Sequence, residues 1–240
     1  MVRSLGMALN AGGLPLCLWP VRKETSILES SARGPMAMML REKFDYYATE
    51  FDPARIAAGT DPREYADFQN LHYKDDTFDV VIASDVFEHV RDDVAGYREV
   101  YRVLKMDGCF LLTVPYEHSR EETIRRVDTT GAVDVHLLEP EYHGGGGHTL
   151  TYRNYGRDLL RLLRECGFAV GCTVIELAGL GITQQRVFLG RKGDFVEYFD
   201  QPSLPERSAS TGPLFPFRAF LFYKYNFLSF LHYMREIRRR

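Results

Sequence analysis

An α/β fold built on a doubly wound, mostly parallel sheet is the architecture this sequence predicts, and three observations predict it. Between Ile27 and Lys192, apolar runs of strand length alternate with segments of helical period. Strands that alternate with helices need crossover connections, which cover a parallel sheet on both faces. The chain of 240 residues is 45% hydrophobic, enough to bury one substantial core with some elaboration.

The elements follow in order. "SILES" (26–30) reads as a buried strand, and "PMAMMLREKF" (35–44) as a helix with Pro35 in its first turn, where a missing N–H costs little. "YYATE" (46–50) is the second strand, "EYADF" (64–68) the third and "FDVVIAS" (78–84) the fourth. "DDVAGYREVYRVLK" (92–105) is an amphipathic helix whose Val94, Tyr97, Val100, Tyr101 and Leu104 share one face. "GCFLLTVPY" (108–116) is the fifth strand. A stretch rich in His and Gly leads to a helix over 154–167, which Gly167 ends, and "FAVGCTVIEL" (168–177) and "TQQRVFLGRK" (183–192) close the sheet. The chain thus divides into an N-terminal arm (1–25), a domain (26–192), and a linker with an aromatic and basic helical tail (193–240).

Several classes are excluded on composition. A formal charge of -3 gives no global attraction to nucleic acid. Cys17, Cys109, Cys166 and Cys172 show neither zinc-site pairing nor the density of a disulfide framework, so a reducing, cytoplasmic compartment is expected. In the N-terminal arm, Asn10, Gly12, Gly13 and Pro15 interrupt any signal-like apolar core, and packing on the domain is expected there. The tail segment 213–240 combines Phe, Leu and Tyr with Arg218, Lys224, Arg235, Arg238, Arg239 and Arg240. It is too short and too interrupted to span a bilayer, and two readings stay open. One is a helix lying peripherally in the headgroups of an anionic membrane; the other is a helix packed on the domain or on a second subunit as a homo-oligomer contact.

Ligands of doubly wound sheets sit beyond the carboxyl ends of the strands. Those ends carry Glu29 and Ser30, Glu50, Asp67, Ser84 and Asp85, then Pro115 and Tyr116. Here the chain resembles a family. "YADFQNLHYKDDTFDVVIASDVFEHVRDDVAGYREVYRVLKMDGCFLLTVPY" (65–116) is similar to the class I S-adenosylmethionine-dependent methyltransferases of the methyltransferase-type-11 kind, with looser similarity over Ile27–Lys192. The resemblance implies a Rossmann-like sheet of seven strands whose last inserted strand is antiparallel, and S-adenosylmethionine as cofactor. It implies that Glu50, with Phe51 beside it, meets the ribose hydroxyls, where a carboxylate accepts two hydrogen bonds. Asp67 meets the adenine amino group, Phe68 packs on the ring and presents its N–H, and Ser84 and Asp85 lie under the methionine end.

The first loop departs from the family's Glu/Asp-x-Gly-x-Gly-x-Gly. Glu29 is followed by Ser30, Ser31, Ala32, Arg33 and Gly34. S-adenosylmethionine has no pyrophosphate, so bare backbone matters less. Serine hydroxyls, Arg33 and the N–H groups opening the next helix can meet the methionine carboxylate. Relatives with a Glu-x-Ser-x-x-Gly loop make this a variant of the site.

The acceptor side is expected from 115–122 and 133–156. The second segment holds His136, Glu139, Glu141, Tyr142, His143 and His148, groups able to take a proton near neutral pH. His143, which precedes the glycine run 144–147, is the first choice of base and His118 the second. Glu88 and His89 are read as structural. No fixed ligand spacing appears, so no metal is assigned. The expected activity is methyl transfer to a small-molecule or glycan-like acceptor, at a hydroxyl. The alternative is a catalytically silent methyltransferase-like domain serving as an interaction module. A dehydrogenase is disfavoured, since no G-x-G-x-x-G follows the first strand.

Overall fold

The computed structural model describes residues 1–9, 11, 15–32, 34–143, 148–177 and 182–194. Arg33, the run 144–147 and the tail 213–240 lie outside the described residues. A six-stranded sheet is formed by β1 (Arg22–Ser30), β2 (Phe44–Thr49), β3 (Phe78–Ser84), β4 (Leu104–Thr113), β5 (Ala169–Leu177) and β6 (Ile182–Arg191). Its order is β5-β6-β4-β3-β1-β2. β2, β1, β3 and β4 run parallel, and β6 inserts antiparallel between β4 and β5. Three helices connect them: α2 (Gly34–Lys43), α4 (Asp93–Val103) and α5 (Leu159–Glu165). α1 (Val2–Ala8) precedes β1, and α3 (Pro53–Ala57), capped by the Asp52 carboxylate on the N–H groups of Ala54 and Arg55, follows β2.

The strand expected over 64–68 is reduced to one parallel bridge, Glu50 with Tyr65. Glu50 donates its N–H to Glu64 and accepts from Ala66, at 2.8 and 3.1 Å. The chain then turns, because the Asp67 carboxylate takes the Gln69 N–H at 2.8 Å and the Asp67 carbonyl takes that of Asn70. A local side-chain bond thus stops the ladder after a single rung, and the seventh strand is absent among the described residues.

Burial on both faces explains the apolar runs. Along β3, Val80 and Ile82 join one cluster with Ile27, Leu111, Leu40, Leu5, Leu16 and Trp19, while Val81 and Ala83 join another with Leu28, Phe110, Tyr97, Val100, Leu159 and Leu163. Each such fully buried aliphatic side chain stabilises the fold by about 1.5–3 kcal/mol. The N-terminal residues cover the α2 face through Leu5, Leu16 and Trp19, and β1 starts at Arg22, ahead of the expected Ser26. α5 is shorter than its expected span; it ends at Glu165 and the chain leaves through Gly167 at φ 102°, a left-handed exit that glycine takes at least cost.

Candidate active site

β1 is flanked by β2 on one side and β3 on the other, so the chain changes direction at the β1–β3 boundary. Both strands leave the sheet through left-handed residues, Ser31 at φ 54° and Asp85 at φ 52°. Each of these residues donates its N–H to the last carbonyl of the next strand: Ser31 to Thr49 at 2.7 Å and Asp85 to Thr113 at 2.8 Å. Thr113 adds its hydroxyl to the Asp85 carboxylate at 3.1 Å. These bonds hold otherwise disfavoured conformations at the switch point.

The expected cofactor residues fall around this point in two groups. Glu29 is buried and accepts the Tyr46 hydroxyl at 2.6 Å, and burial together with Glu29 pushes that phenol well above its usual range. Glu29 therefore braces β1 against β2. Ser30 is also buried, whereas Ser31 and Phe51 are exposed and Glu50 and Ser84 are half-buried at their strand ends. The Phe68 ring is buried, edge-on to Phe87 with centroids 5.9 Å apart, so it faces the core instead of a ligand. What Phe68 can offer is its backbone N–H, which has no acceptor among the described residues.

These features fit an adenosyl-methionine ligand. Glu50 is a carboxylate at the end of β2, the Phe68 N–H is a free donor one turn beyond the bridge to Glu50, and the left-handed Ser31 and Gly34 open α2. The residues present supply carboxylate, amide and helix-start donors in the order such a ligand requires.

The acceptor side is a lobe after β4 made of short antiparallel pairs: 124–125 with 153–154, 127–128 with 135–136, and 142–143 with 149–150. Most of its expected titratable groups stand apart. His118, His136, Glu139 and His148 are exposed, and His118 has the Tyr116 ring 6.4 Å away. His143 is different. It sits edge-on to His89 with ring centroids 4.6 Å apart, and its Nε2 is 3.8 Å from the Glu141 carboxylate.

That meeting depends on residues which local pattern did not flag. The turn Phe87–His89 is clasped by the segment 150–155. Arg153, only 2% exposed, donates to the carbonyls of Phe87 and Arg91 at 2.8 Å each and also to that of Val90. Tyr152 donates its N–H to the Glu88 carbonyl at 2.8 Å, and the His89 Nδ1 meets the Leu150 carbonyl at 2.8 Å. The buried Asp93 balances Arg153 at 3.4 Å and accepts the Tyr155 hydroxyl at 2.9 Å, which in turn accepts from Tyr97 at 2.9 Å. Gly96 lets α4 approach, since a Cβ there would lie 2.9 Å from the Phe87 ring. The clasp's sequence signal is an arginine close to two tyrosines, Tyr152 and Tyr155, and that signal names no partner.

Within the clasp, Glu88 is fully buried and neither carboxylate oxygen has a hydrogen-bond partner from another residue among the described residues. Burial pushes its pKa up to about 8. Burial also lowers that of His89, only partly offset by the Leu150 carbonyl, so the imidazole is neutral near pH 7.

Residues 31–112 match the model of the methyltransferase domain family. A 45-residue stretch, 19% of the chain, is 47% identical to cycloartenol-C-24-methyltransferase 1 of Oryza sativa subsp. japonica, and covers 13% of that protein. The chain thus spans about an eighth of the length of this curated relative. Among solved structures, YcgJ of Bacillus subtilis is 14% identical with a TM-score of 0.48, covering 81% of this chain and all (100%) of that one. An S-adenosylmethionine-dependent methyltransferase of Mesorhizobium loti is 18% identical with a TM-score of 0.46, covering 77% and 95%.

The doubly wound sheet with its antiparallel inserted strand is the fold class the sequence predicts, and the similarity to the methyltransferase domain family is confined to residues 31–112.

Proposed function

We propose that the chain transfers the methyl group of S-adenosylmethionine to a hydroxyl of a small-molecule or glycan-like acceptor. The observation that carries the reading is the juxtaposition of His143 with His89 and Glu141 in the lobe that follows β4. Bound at the switch point, S-adenosylmethionine supplies a methyl on a sulfonium, a leaving group that needs no acid. Glu50 would hold the ribose hydroxyls and the Phe68 N–H the adenine, while Ser31 and the opening N–H groups of α2 would take the methionine carboxylate, with Asp85 near its amino group. The protein's remaining tasks are to align the acceptor and to relieve it of a proton. His143 suits the second task better than His118, which has a tyrosine and no carboxylate among its ring and charge contacts.

The test is a titration with S-adenosylhomocysteine together with a turnover assay. His143→Ala is expected to lower turnover by about 10²–10⁴-fold while leaving S-adenosylhomocysteine affinity nearly unchanged. Wild-type turnover in that variant would remove His143 from the reaction. Absence of cofactor binding by the unmodified protein would favour the silent interaction module.

A further inference from the structure

We infer that Glu88, His89 and His143 form a binding site for one first-row divalent metal ion of the zinc type. One ligand atom from each of the three side chains lies within 4.8 Å of the other two, although Glu88 and His89 follow β3 and His143 comes from the lobe beyond β4. A four-coordinate ion with bonds of about 2.0–2.2 Å needs its ligands roughly 3.3 Å apart. The Glu88 Oε1 to His89 Nε2 separation is already 3.7 Å. His143, half-buried on the short strand 142–143, has up to about 1.5 Å to close at that scale.

Three independent features point to a cation there. The first is Glu88, whose carboxylate is fully buried with no hydrogen bond to either oxygen from another residue among the described residues. An anion so placed costs several kcal/mol unless a proton or a cation compensates it. Arg153, the nearby buried guanidinium, is spent on backbone carbonyls and Asp93. The second is the tautomer of His89. Its Nδ1 faces the Leu150 carbonyl at 2.8 Å, and a carbonyl can only accept, so Nδ1 carries the hydrogen and Nε2 keeps its lone pair toward Glu88. A backbone carbonyl that fixes the far nitrogen of an imidazole is the usual outer support of a metal-ligating histidine. The third is rigidity: the turn bearing two of the ligands is held at the carbonyls of residues 87, 88, 90 and 91. A preset turn spares the ion the cost of ordering its own ligands.

Two imidazoles and one carboxylate suit zinc, cobalt, manganese or ferrous iron better than magnesium or calcium, which prefer all-oxygen shells. Three protein ligands leave one position open. The binding claim stands apart from the methyl-transfer reading. Only its use rests on that reading, and there the ion takes over the base role of His143: an acceptor hydroxyl in the open position would release its proton to water more readily, with His143 acting as ligand.

The test uses the full chain, stripped with EDTA and titrated with Co(II) while the visible absorption is followed, then with Zn(II) in competition. One equivalent is expected to bind saturably, to give the intense visible bands of a low-coordinate cobalt site, and to be displaced by zinc. His143→Ala and Glu88→Gln should each weaken binding at least about 10-fold, whereas His136→Ala, in the same lobe, should bind as the unmodified chain does. His143→Ala is expected to unfold at the unmodified temperature in EDTA, which separates lost ligation from lost fold should Glu88→Gln prove unstable. No saturable binding to the unmodified chain, or unchanged binding in His143→Ala, overturns the site. S-adenosylhomocysteine titrated in parallel keeps the two readings distinct: its binding without metal binding sinks the metal site alone, and the converse sinks the methyl-transfer reading alone.

Discussion

At the cofactor-side strand ends, Ser31 and Glu50 are fixed through their backbone N–H groups, to Thr49 and Glu64, and their side chains are exposed or half-buried. At the turn 87–91 the arrangement is reversed: buried side chains do the fixing, with Arg153 on three carbonyls and Asp93 and Tyr155 behind it. A site that must admit a long, flexible ligand can anchor its main chain and leave side chains to receive it. One that must hold a few atoms at close range needs its groups oriented beforehand, and buried ionic bonds provide that orientation. The variant loop after β1 is legible in these terms, since with the backbone already anchored, serine in place of glycine changes little.

If this contrast is right, the clasp is where substitution costs most. Arg153→Met would leave Asp93 buried without its cationic partner and strip the guanidinium bonds from the carbonyls of Phe87, Val90 and Arg91, so denaturant unfolding should show a loss of about 3–5 kcal/mol. A loss below about 1 kcal/mol would mean that the clasp is not the organising element. On the cofactor side, Glu50→Ala should cost little stability but weaken S-adenosylhomocysteine binding by about 1.5–3 kcal/mol, the scale of charge-assisted hydrogen bonds. Calorimetry showing equal affinity would remove Glu50 from the site.

Asp79, at the opposite edge of the sheet, sharpens the comparison as a control. It accepts from the Ser26 N–H and hydroxyl at 2.8 and 2.9 Å and from Lys105 at 2.7 Å. Burial alone would raise its pKa, but the Lys105 and Ser26 bonds outweigh that and hold it below the usual carboxylate range. A depressed folded-state pKa contributes stability that is present above the unfolded value, near 4, and disappears as pH falls through the folded one. Asp79→Asn should therefore cost roughly 1 kcal/mol at pH 7, a figure reduced for its partial exposure, with no change in cofactor or metal binding. The gap between variant and parent should close in acid; a gap independent of pH would assign the loss to packing. The smallest effect expected is at Ser31, where φ is 54°. Ser31→Gly should relieve left-handed strain and raise stability by about 0.5–1 kcal/mol in the same denaturant assay.

Local pattern carried most of the sheet. "FDVVIAS" coincides with β3 at both ends because a strand buried on both faces must carry an unbroken apolar run, here Val80–Ala83. The helix expected over 92–105 forms at 93–103, with the Asp92 carboxylate capping the Ala95 N–H. "EYADF" has strand-like composition too, but Asp67 bonds its own downstream N–H and turns the chain after one bridge. Propensity describes the segment, whereas a ladder also needs a partner that continues.

The candidate site divides along the same line. Glu50, Ser84 and Asp85 were legible because strand ends in an α/β sheet converge on one edge, so alternation of elements is enough to nominate them. His143 was visible as one of several histidines, yet nothing local distinguished it from His118 or His136. The fold alone put it against His89 and the buried Glu88. By itself, then, the sequence determined the order of strands and helices, the two-sided core and the strand-end carboxylates, since each follows from hydrophobic period and short-range bonding. Only the tertiary structure decided which histidine stands against His89 and what Glu88 faces. That choice rests on Leu150, Tyr152, Arg153 and Tyr155 closing on residues 87–93 from far along the chain, and no local period encodes such a pairing.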